Sequence, residues 1–174
     1  MSSEESKKSH YVPFVGLLED YVGRSPIDFY SWGHIDLGIG SFTILSLMIT
    51  LYQYITDIPS TLEWYWIYIG VLIVAILWEL FENIILWRLG LKYENRKDTF
   101  LNAFFDIIFV LVGGGIMWLF KWVIVDLMEE RFRWFYLTAL IAFIVVLICY
   151  FIGFYITNKN TKQARKDHGG KLIS

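Results

Sequence analysis

Four long apolar stretches restrict how this 174-residue chain can fold more than any other feature of its sequence. They cover about residues 27–55, 64–89, 100–128 and 132–156, and each exceeds the ~20 residues that a helix needs to cross a bilayer core. The linkers are short and polar, and 56% of the chain is hydrophobic, above the ~45–50% of soluble domains. The sequence therefore predicts an all-α, polytopic membrane protein built as a four-helix transmembrane bundle, and it excludes a soluble domain.

The segment before the first apolar stretch predicts a short helix of another kind. Residues 11–24 (YVPFVGLLEDYVGR) mix apolar and charged side chains at helical spacing, which favours an N-terminal amphipathic helix lying on the membrane surface. Ser25, Pro26 and Asp28 suit the cap, first position and first turn of the first transmembrane helix. We expect an N-terminal segment (1–24), a four-helix domain (25–157) and a basic tail (158–174), without a signal peptide.

The distribution of positive charge predicts the orientation. An even number of spans places both termini on one side, and twelve of the fifteen lysines and arginines belong to that side. The twelve are Lys7, Lys8, Arg24, Arg88, Lys92, Arg96, Lys97, Lys159, Lys162, Arg165, Lys166 and Lys171. Lys121, Arg131 and Arg133 remain for the opposite side. The positive-inside rule therefore predicts a multi-pass protein of the cell membrane with both termini in the cytoplasm.

Several function classes find no support in the sequence. The basic residues flank the apolar stretches, so we expect the lipid bilayer and no nucleic acid as a partner. The single cysteine, Cys149, cannot form an internal disulfide. No P-loop, GxSxG or HExxH pattern is present, which leaves the common nucleotide-binding, serine-hydrolase and zinc-protease motifs without a match.

Ionisable side chains inside three apolar stretches are the most informative departure from this pattern. At 1.5 Å per residue, Glu82 and Asp106 are expected ~10–12 Å inside their spans, and His34 about 10 Å inside the first. Glu79 is expected about 15 Å deep, with Asn102 about halfway to Asp106. All depths are counted from the predicted cytoplasmic side, so three helices bring polar groups to a common level.

The spacing of these residues predicts that they face one another. Glu79, Glu82 and Asn83 follow an i, i+3, i+4 pattern, and Asn102 and Asp106 follow i, i+4, so each set shares one helix face. A charged side chain facing lipid costs at least ~2.5–3.5 kcal/mol, which favours turning both faces inward. Gathered carboxylates repel unless they are protonated, paired or bound to metal. We therefore expect either a functional pocket or a buried ionic network that fixes the helix register.

A divalent metal ion is one occupant that this cluster suits. The predicted ligands are His34, Glu79, Glu82 and Asp106. Oxygen donors favour magnesium, manganese or calcium, and a single histidine leaves zinc or iron open. In an enzyme, Glu82, Asp106 and His34 are the predicted catalytic groups, acting as metal ligands, general base or proton donor.

Four further residues are predicted to bind substrate. They are Asn83, Asn102, Arg88 and Arg96. The two carboxamides lie within the polar cluster and can orient a substrate oxygen, whereas the two arginines lie at headgroup depth and can hold a phosphate.

Residues from about 29 to 115 resemble the VanZ-like group of small bacterial and archaeal membrane proteins, which includes YjdF-type families. The resemblance rests on FYSWGHIDLGIG, WELFEN and DTFLNAFFDIIFVLVGGG, which occur in matching order. Related sequences carry a Gly/Asp-rich loop where this chain has LGLKYENRKD. The group is named for an accessory role in glycopeptide-antibiotic resistance, which assigns no reaction. The resemblance implies these polar positions: His34, Glu79, Glu82, Asn83, Asp98, Asn102 and Asp106.

Three functions remain open on the sequence. The first is a metal-assisted membrane enzyme or binder that acts on a lipid or lipid-linked substrate from the cytoplasmic leaflet. The second is a non-catalytic membrane module that binds a lipid or a partner helix. The third is a small proton- or ion-coupled transporter, which would need a homodimer because four short spans are few for alternating access.

Overall fold

The structure, a computed structural model, describes residues 11–58, 64–92, 96–128 and 132–167. All regular elements in these ranges are helical. The four long helices are α1 (Tyr30–Thr56), α2 (Trp64–Leu80), α3 (Phe100–Lys121) and α4 (Phe132–Asp167). All four spans are long and apolar enough to cross a membrane, which confirms the predicted all-α, four-helix transmembrane class. Lys7, Lys8, Arg131 and Lys171, which the orientation prediction used, lie outside the described residues.

Two of the helices end in a π-helical segment. α2 continues as the π-helix Phe81–Leu86, and α3 continues as the π-helix Trp122–Leu127. The first segment lies at the end of the bundle where α1 begins, α2 and α3 are joined and α4 ends; we call this the basic end. The second lies at the opposite end. Such segments are rare in helices and often accompany functional sites.

The last helix is longer than its apolar stretch predicts. We expected it to end near residue 156, but α4 remains helical to Asp167. Thr157 and Thr161 are buried, and the hydroxyl of Thr157 donates a hydrogen bond to the carbonyl oxygen of Val15 at 2.7 Å. This contact with the N-terminal segment stabilises the extra turns, which also contain good helix formers such as lysine, glutamine and arginine.

The N-terminal segment folds across the basic end of the bundle. Its described part forms turns and one short 3-10 helix, Glu19–Tyr21, in place of a longer amphipathic α-helix. Val22 is buried, and the hydroxyl of Tyr11 donates to the carbonyl oxygen of Ile27 at 2.9 Å. The apolar side chains that suggested a membrane-surface helix therefore serve in part to attach this segment to the bundle.

The helix starts differ from the predicted caps. Ser25 does not cap α1, because its hydroxyl donates to the carbonyl oxygen of Tyr21 at 2.7 Å. Asp28 instead accepts hydrogen bonds from the amides of Gly23 and Tyr30, both at 2.8 Å. The cap of α3 is Thr99, whose side chain accepts a hydrogen bond from the backbone amide of Asn102. Asp98 is thereby available for the ion pair described below.

The closest helix packing joins α1 and α3. A Cβ placed on Gly38 would lie 2.0 Å from the carbonyl oxygen of Val110, and one on Gly113 would lie 2.0 Å from that of Ile35. Only glycine allows the two backbones to approach this closely. The interface holds α1 against α3 where both carry polar residues, so it positions those residues.

Candidate functional site

His34, Glu79 and Asp106, each on a different helix, meet inside the bundle. The Nδ1 atom of His34 lies 3.8 Å from Oε1 of Glu79, and its Nε2 atom lies 3.5 Å from Oδ2 of Asp106. Glu82 joins His34 and Glu79 in one group of potential ligand atoms within 4.8 Å of one another. Asp98 joins Glu79 and Asp106 in a second such group. We call these five residues the acidic chamber.

The deepest atoms of the acidic chamber have unsatisfied hydrogen-bonding capacity. Among the described residues, no hydrogen-bond partner faces Nδ1 of His34, Oε1 of Glu79 or Oδ1 of Asp106, although all three atoms are buried. The side chains themselves are 6%, 8% and 3% exposed. Buried polar atoms are nearly always paired, since an unpaired one costs about 1–3 kcal/mol. These three atoms therefore remain able to form contacts with a further group.

Lys92 is the cation that pairs with the chamber carboxylates, a role that the sequence does not predict. Its ammonium group pairs with Asp98 and lies 3.6 Å from Oε1 of Glu82. It also donates to Oδ1 of Asn83 at 2.9 Å. The residue belongs to the polar linker between α2 and α3, where a lysine usually faces water. The one signal for an inward side chain is that Lys92 lies in the sequence between the acidic residues at the end of α2 and those at the start of α3.

Asn83 connects the π-helix of α2 to the linker. Its Nδ2 atom donates to Oε2 of Glu79 at 3.2 Å, and its Oδ1 atom accepts from the backbone amide of Asp98 at 3.0 Å. Together with the contact to Lys92, these bonds engage both ends of the amide group. The predicted substrate-binding residue thus holds other chamber residues in position.

The other predicted substrate-binding residues occupy three different environments. Asn102 is buried, and its Nδ2 atom donates to the carbonyl oxygen of Ser25 at 2.9 Å. Arg96 lines the chamber and lies 3.7 Å from Asp20 of the N-terminal segment. Arg88 is exposed and lines neither of the two cavities described here. The structure therefore brings Asn102 and Arg96 to the chamber but leaves Arg88 outside it.

A small cavity of about 20 Å³ lies within the acidic chamber, below Val22 and Gly23 of the N-terminal segment. This volume is close to the ~10–15 Å³ that one small molecule such as water requires. All chamber residues except Glu79 line it, and the rest of its wall is formed by Tyr30, Lys92, Arg96, Lys97 and Asn102. The cavity is large enough for a single ion or water molecule, and it lies beside the linker and the N-terminal segment.

The donor set fits a hard divalent cation. Glu79 belongs to both groups of ligand atoms, so an ion near it can be reached by His34 and Glu82 or by Asp98 and Asp106. Carboxylate oxygens suit magnesium, manganese and calcium, and an added imidazole also suits zinc or iron. Ligand atoms up to 4.8 Å apart require only small movements to meet bond lengths of about 2.0–2.4 Å.

Asp28 adds a titratable group just outside the spans. Burial raises the pKa of Asp28 to about 6, and hydrogen bonds from the amides of Gly23 and Tyr30 act in the opposite direction. The nearby carboxylates of Asp98 and Glu82 add to the increase. The charge at this edge of the chamber therefore changes within the physiological range of pH.

Comparisons of the chain with models of protein families, with curated proteins and with solved structures gave no match. The resemblance to the VanZ-like group stays a prediction from the sequence. The case for a function consequently depends on the chemistry of the chamber and on the location of the chamber within the spans.

Proposed function

We propose that the acidic chamber binds a divalent metal ion and that this ion holds the phosphate-bearing head group of a membrane lipid. The observation that carries the proposal is the set of buried atoms without hydrogen-bond partners on His34, Glu79 and Asp106. These atoms come from three separate helices. A cation near Glu79 could contact it together with His34 and Glu82, or together with Asp98 and Asp106.

The balance of charge supports a cation as the occupant. Glu79, Glu82, Asp98 and Asp106 lie together, and Lys92 is the basic side chain that pairs with two of them. A network that served only to fix helix register would be expected to satisfy its deepest members, because unpaired buried charges are costly. Lys92 reaches the outer carboxylates Glu82 and Asp98. Glu79 and Asp106 lack such a partner among the described residues.

The location of the chamber supports a lipid as the ligand. His34, Glu82 and Asp106 all belong to helices that are long and apolar enough to span a membrane. The chamber lies toward the basic end, where Lys92, Arg96 and Lys97 line it. Lipid phosphates lie at the ends of membrane spans, where these basic residues are found, and lysine and arginine bind them well. We further propose that this end faces the cytoplasm, as the positive-inside rule predicts.

The residues of the chamber could support chemistry as well as binding. A bound divalent ion would polarise a phosphoryl or carbonyl oxygen of the lipid. Lys92 could then leave Asp98 and contact a phosphate oxygen, since its long side chain already bridges the linker and the chamber. Glu82, at the junction of the chamber and a second cavity described below, is positioned to accept a proton from a bound hydroxyl or water.

Metal binding to the purified protein tests the proposal. Protein in detergent is stripped with a chelator and titrated with manganese, magnesium, calcium and zinc, and the melting temperature and bound metal are measured. We expect about one ion per chain and an increase in melting temperature, because a ligand at 100 times its Kd stabilises by about 2.7 kcal/mol. Glu79→Gln and Asp106→Asn should each weaken binding by about tenfold or more.

Asp57→Asn is the matched control, because Asp57 is an exposed carboxylate at the opposite end of α1. It should leave metal binding unchanged. If none of the four ions binds or changes the melting temperature of the wild type, the chamber is an internal ionic network and the proposal is wrong.

A further inference from the structure

A second cavity opens beside the acidic chamber, between α1, α2 and α4. Its volume is about 450 Å³, within the ~300–1,000 Å³ typical of small-molecule sites. We call it the lateral groove. The apolar part of its wall is formed by Leu37, Trp78, Leu86, Leu91, Phe143 and Leu147. On α1 the wall runs from Tyr30 to Leu37, a rise of roughly 10 Å, so the groove occupies the membrane-spanning region near the basic end.

The groove lies where α2 and α4 are separated from each other. At the opposite end of the bundle these two helices meet through the stacked rings of Trp64 and Phe132, whose centroids are 6.0 Å apart. Toward the basic end both pack against α1, and the space between them is the groove. An opening between two transmembrane helices faces the acyl chains of the bilayer, which are its natural occupants.

The lateral groove and the acidic chamber share part of their walls. Tyr30, His34, Glu82 and Lys92 line both cavities. A molecule that lies in the groove therefore has one end beside His34 and Glu82. This continuity gives a lipid a sideways route from the bilayer to the chamber without passing the N-terminal segment that covers the basic end.

Asp36 indicates what kind of lipid fits. It lines the groove and is 5% exposed, yet its Oδ1 atom is buried without a hydrogen-bond partner among the described residues. A carboxyl group in an apolar wall needs a donor. Saturated chains and ester carbonyls offer none, whereas a free hydroxyl group does. The wall thus combines a surface for an alkyl chain with an acceptor for a hydroxyl group.

We infer that the lateral groove binds a lipid with an alkyl chain and a free hydroxyl group, such as a monoacylglycerol or its phosphate. The chain lies against Phe143 and Leu147, and the hydroxyl group donates to Asp36. The inference deepens the proposed function, because it names the class of lipid whose head group reaches the chamber. The chain site itself needs no metal, so the two ideas can fail separately.

Photochemical labelling tests the groove. A monoacylglycerol with a diazirine in its chain is mixed with wild-type protein in detergent, in the presence of a chelator, and the labelled peptides are sequenced. We expect labels on the groove side of α4 and α2, in peptides that contain Leu147 and Trp78. The wild-type experiment alone would overturn the inference if labels were spread evenly over the lipid-exposed faces and unlabelled monoacylglycerol did not compete.

Two neighbouring positions on α4 provide matched variants. Leu147→Trp fills the groove and should reduce labelling roughly tenfold, since a bulky side chain excludes the alkyl chain. Ile148→Trp adds the same group to a side chain that is 52% exposed and should have no effect. Equal labelling of both variants would contradict the proposed position of the chain.

The hydroxyl group is tested with a probe that lacks donors. The dimethyl ether of the same monoacylglycerol should bind the wild type roughly ten- to a hundredfold more weakly, the usual effect of losing a hydrogen bond to a carboxylate. Asp36→Leu should bind both probes alike. If the ether binds wild type as well as the parent lipid does, Asp36 does not select a hydroxyl group.

A monoacylglycerol phosphate distinguishes this inference from the proposed function. Metal-dependent binding of the phosphate, with metal-independent binding of the neutral lipid, supports both. Binding of the neutral lipid alone, with no gain from phosphate and metal, supports the groove and contradicts the metal proposal. Metal-dependent binding that Leu147→Trp leaves unchanged supports the chamber and overturns the groove.

Discussion

The two ends of the bundle solve the problem of buried charge in opposite ways. At the basic end, the acidic chamber leaves deep atoms of His34, Glu79 and Asp106 without hydrogen-bond partners. At the other end, Lys121 is 4% exposed, but both oxygens of Asp126 accept hydrogen bonds from it at 2.6 Å. A π-helical segment accompanies each site. A π-helix thus occurs at both ends, whereas the buried atoms without hydrogen-bond partners, among the described residues, lie at the basic end.

The pair at the other end has the features of a structural contact. The ammonium group of Lys121 also lies 4.2 Å from the ring centroid of Trp64, on α2. The π-helix Trp122–Leu127 brings Asp126 back toward the lysine, so the cation has a carboxylate and an aromatic face as partners. Every contact comes from the protein itself. By this comparison, the chamber is the region where we propose a ligand.

The largest expected effect is at the structural pair. Asp126→Ala leaves the buried ammonium group of Lys121 without its carboxylate partner. We expect the free energy of unfolding to fall by about 2–3 kcal/mol. This is less than the ~3–5 kcal/mol lost when a fully buried pair is broken, because Asp126 is 42% exposed. The unfolding midpoint in detergent measures this loss. The double variant Lys121→Met, Asp126→Ala should recover most of it. A double variant as unstable as the single one would contradict the structural interpretation.

The next effect concerns the cation of the chamber. Lys92→Met removes the partner of Asp98, Glu82 and Asn83, so we expect about 2 kcal/mol of destabilisation in the presence of a chelator. Added divalent metal should restore more stability to this variant than to the wild type. Lys159→Met, which removes an exposed lysine of α4 that lines neither cavity, is the control. Destabilisation that metal does not reduce would indicate that Lys92 has no role in charge balance.

A smaller effect is expected from Asp28, at the edge of the chamber. Its pKa of about 6 in the folded protein exceeds the ordinary value of 3.8, so the folded state binds more protons between these two values. The stability that protonation provides is fully present below about pH 3.8 and is lost as pH rises through about 6. Between pH 5 and 7 the wild type should lose roughly 1–2 kcal/mol more than Asp28→Asn does. The melting temperatures of both proteins, measured across this pH range, check the assignment. Parallel curves for the wild type and Asp28→Asn would contradict it.

The smallest expected effect is at Glu79. Glu79→Gln keeps the shape and the oxygen that accepts from Asn83, while it removes a carboxylate that lacks a charged partner closer than His34 at 3.8 Å. We expect a change of less than about 1 kcal/mol in stability without metal, in either direction. The comparison with Asp126→Ala is therefore the sharpest single contrast. A loss of about 3 kcal/mol at Glu79 would make the two ends equivalent and remove the basis for a ligand site.

The sequence predicts the spans well because hydrophobicity and length determine them. Three of the four predicted starts, at residues 64, 100 and 132, agree with the structure, and the first helix begins at Tyr30 in place of residue 27. The end of α4 was missed because turns beyond residue 156 are held by contacts such as that between Thr157 and Val15. No local pattern of residues encodes such a contact.

The meeting of His34, Glu79 and Asp106 could be predicted because the cost of facing lipid leaves few alternatives. Lys92 could not, because a lysine in a polar linker usually points to water and its inward position depends on the fold of the linker. The π-helix Phe81–Leu86 was equally hidden, since it changes the direction of side chains by an amount that sequence spacing does not reveal. Periodicity thus predicts which residues gather, and tertiary contacts decide which atoms meet.

The crossing of α1 and α3 at Gly38 and Gly113 limits which helices can move relative to one another. Because the two backbones are already in contact there, α1 and α3 form a rigid pair that cannot slide or rotate without a clash. Any widening of the lateral groove that admits a ligand must therefore come from movement of α2 and α4 relative to this rigid pair. A bulky residue at Gly38 would therefore disrupt the packing of α1 against α3. Loosening the ring contact of Trp64 with Phe132 would instead change how readily the lateral groove opens between α2 and α4.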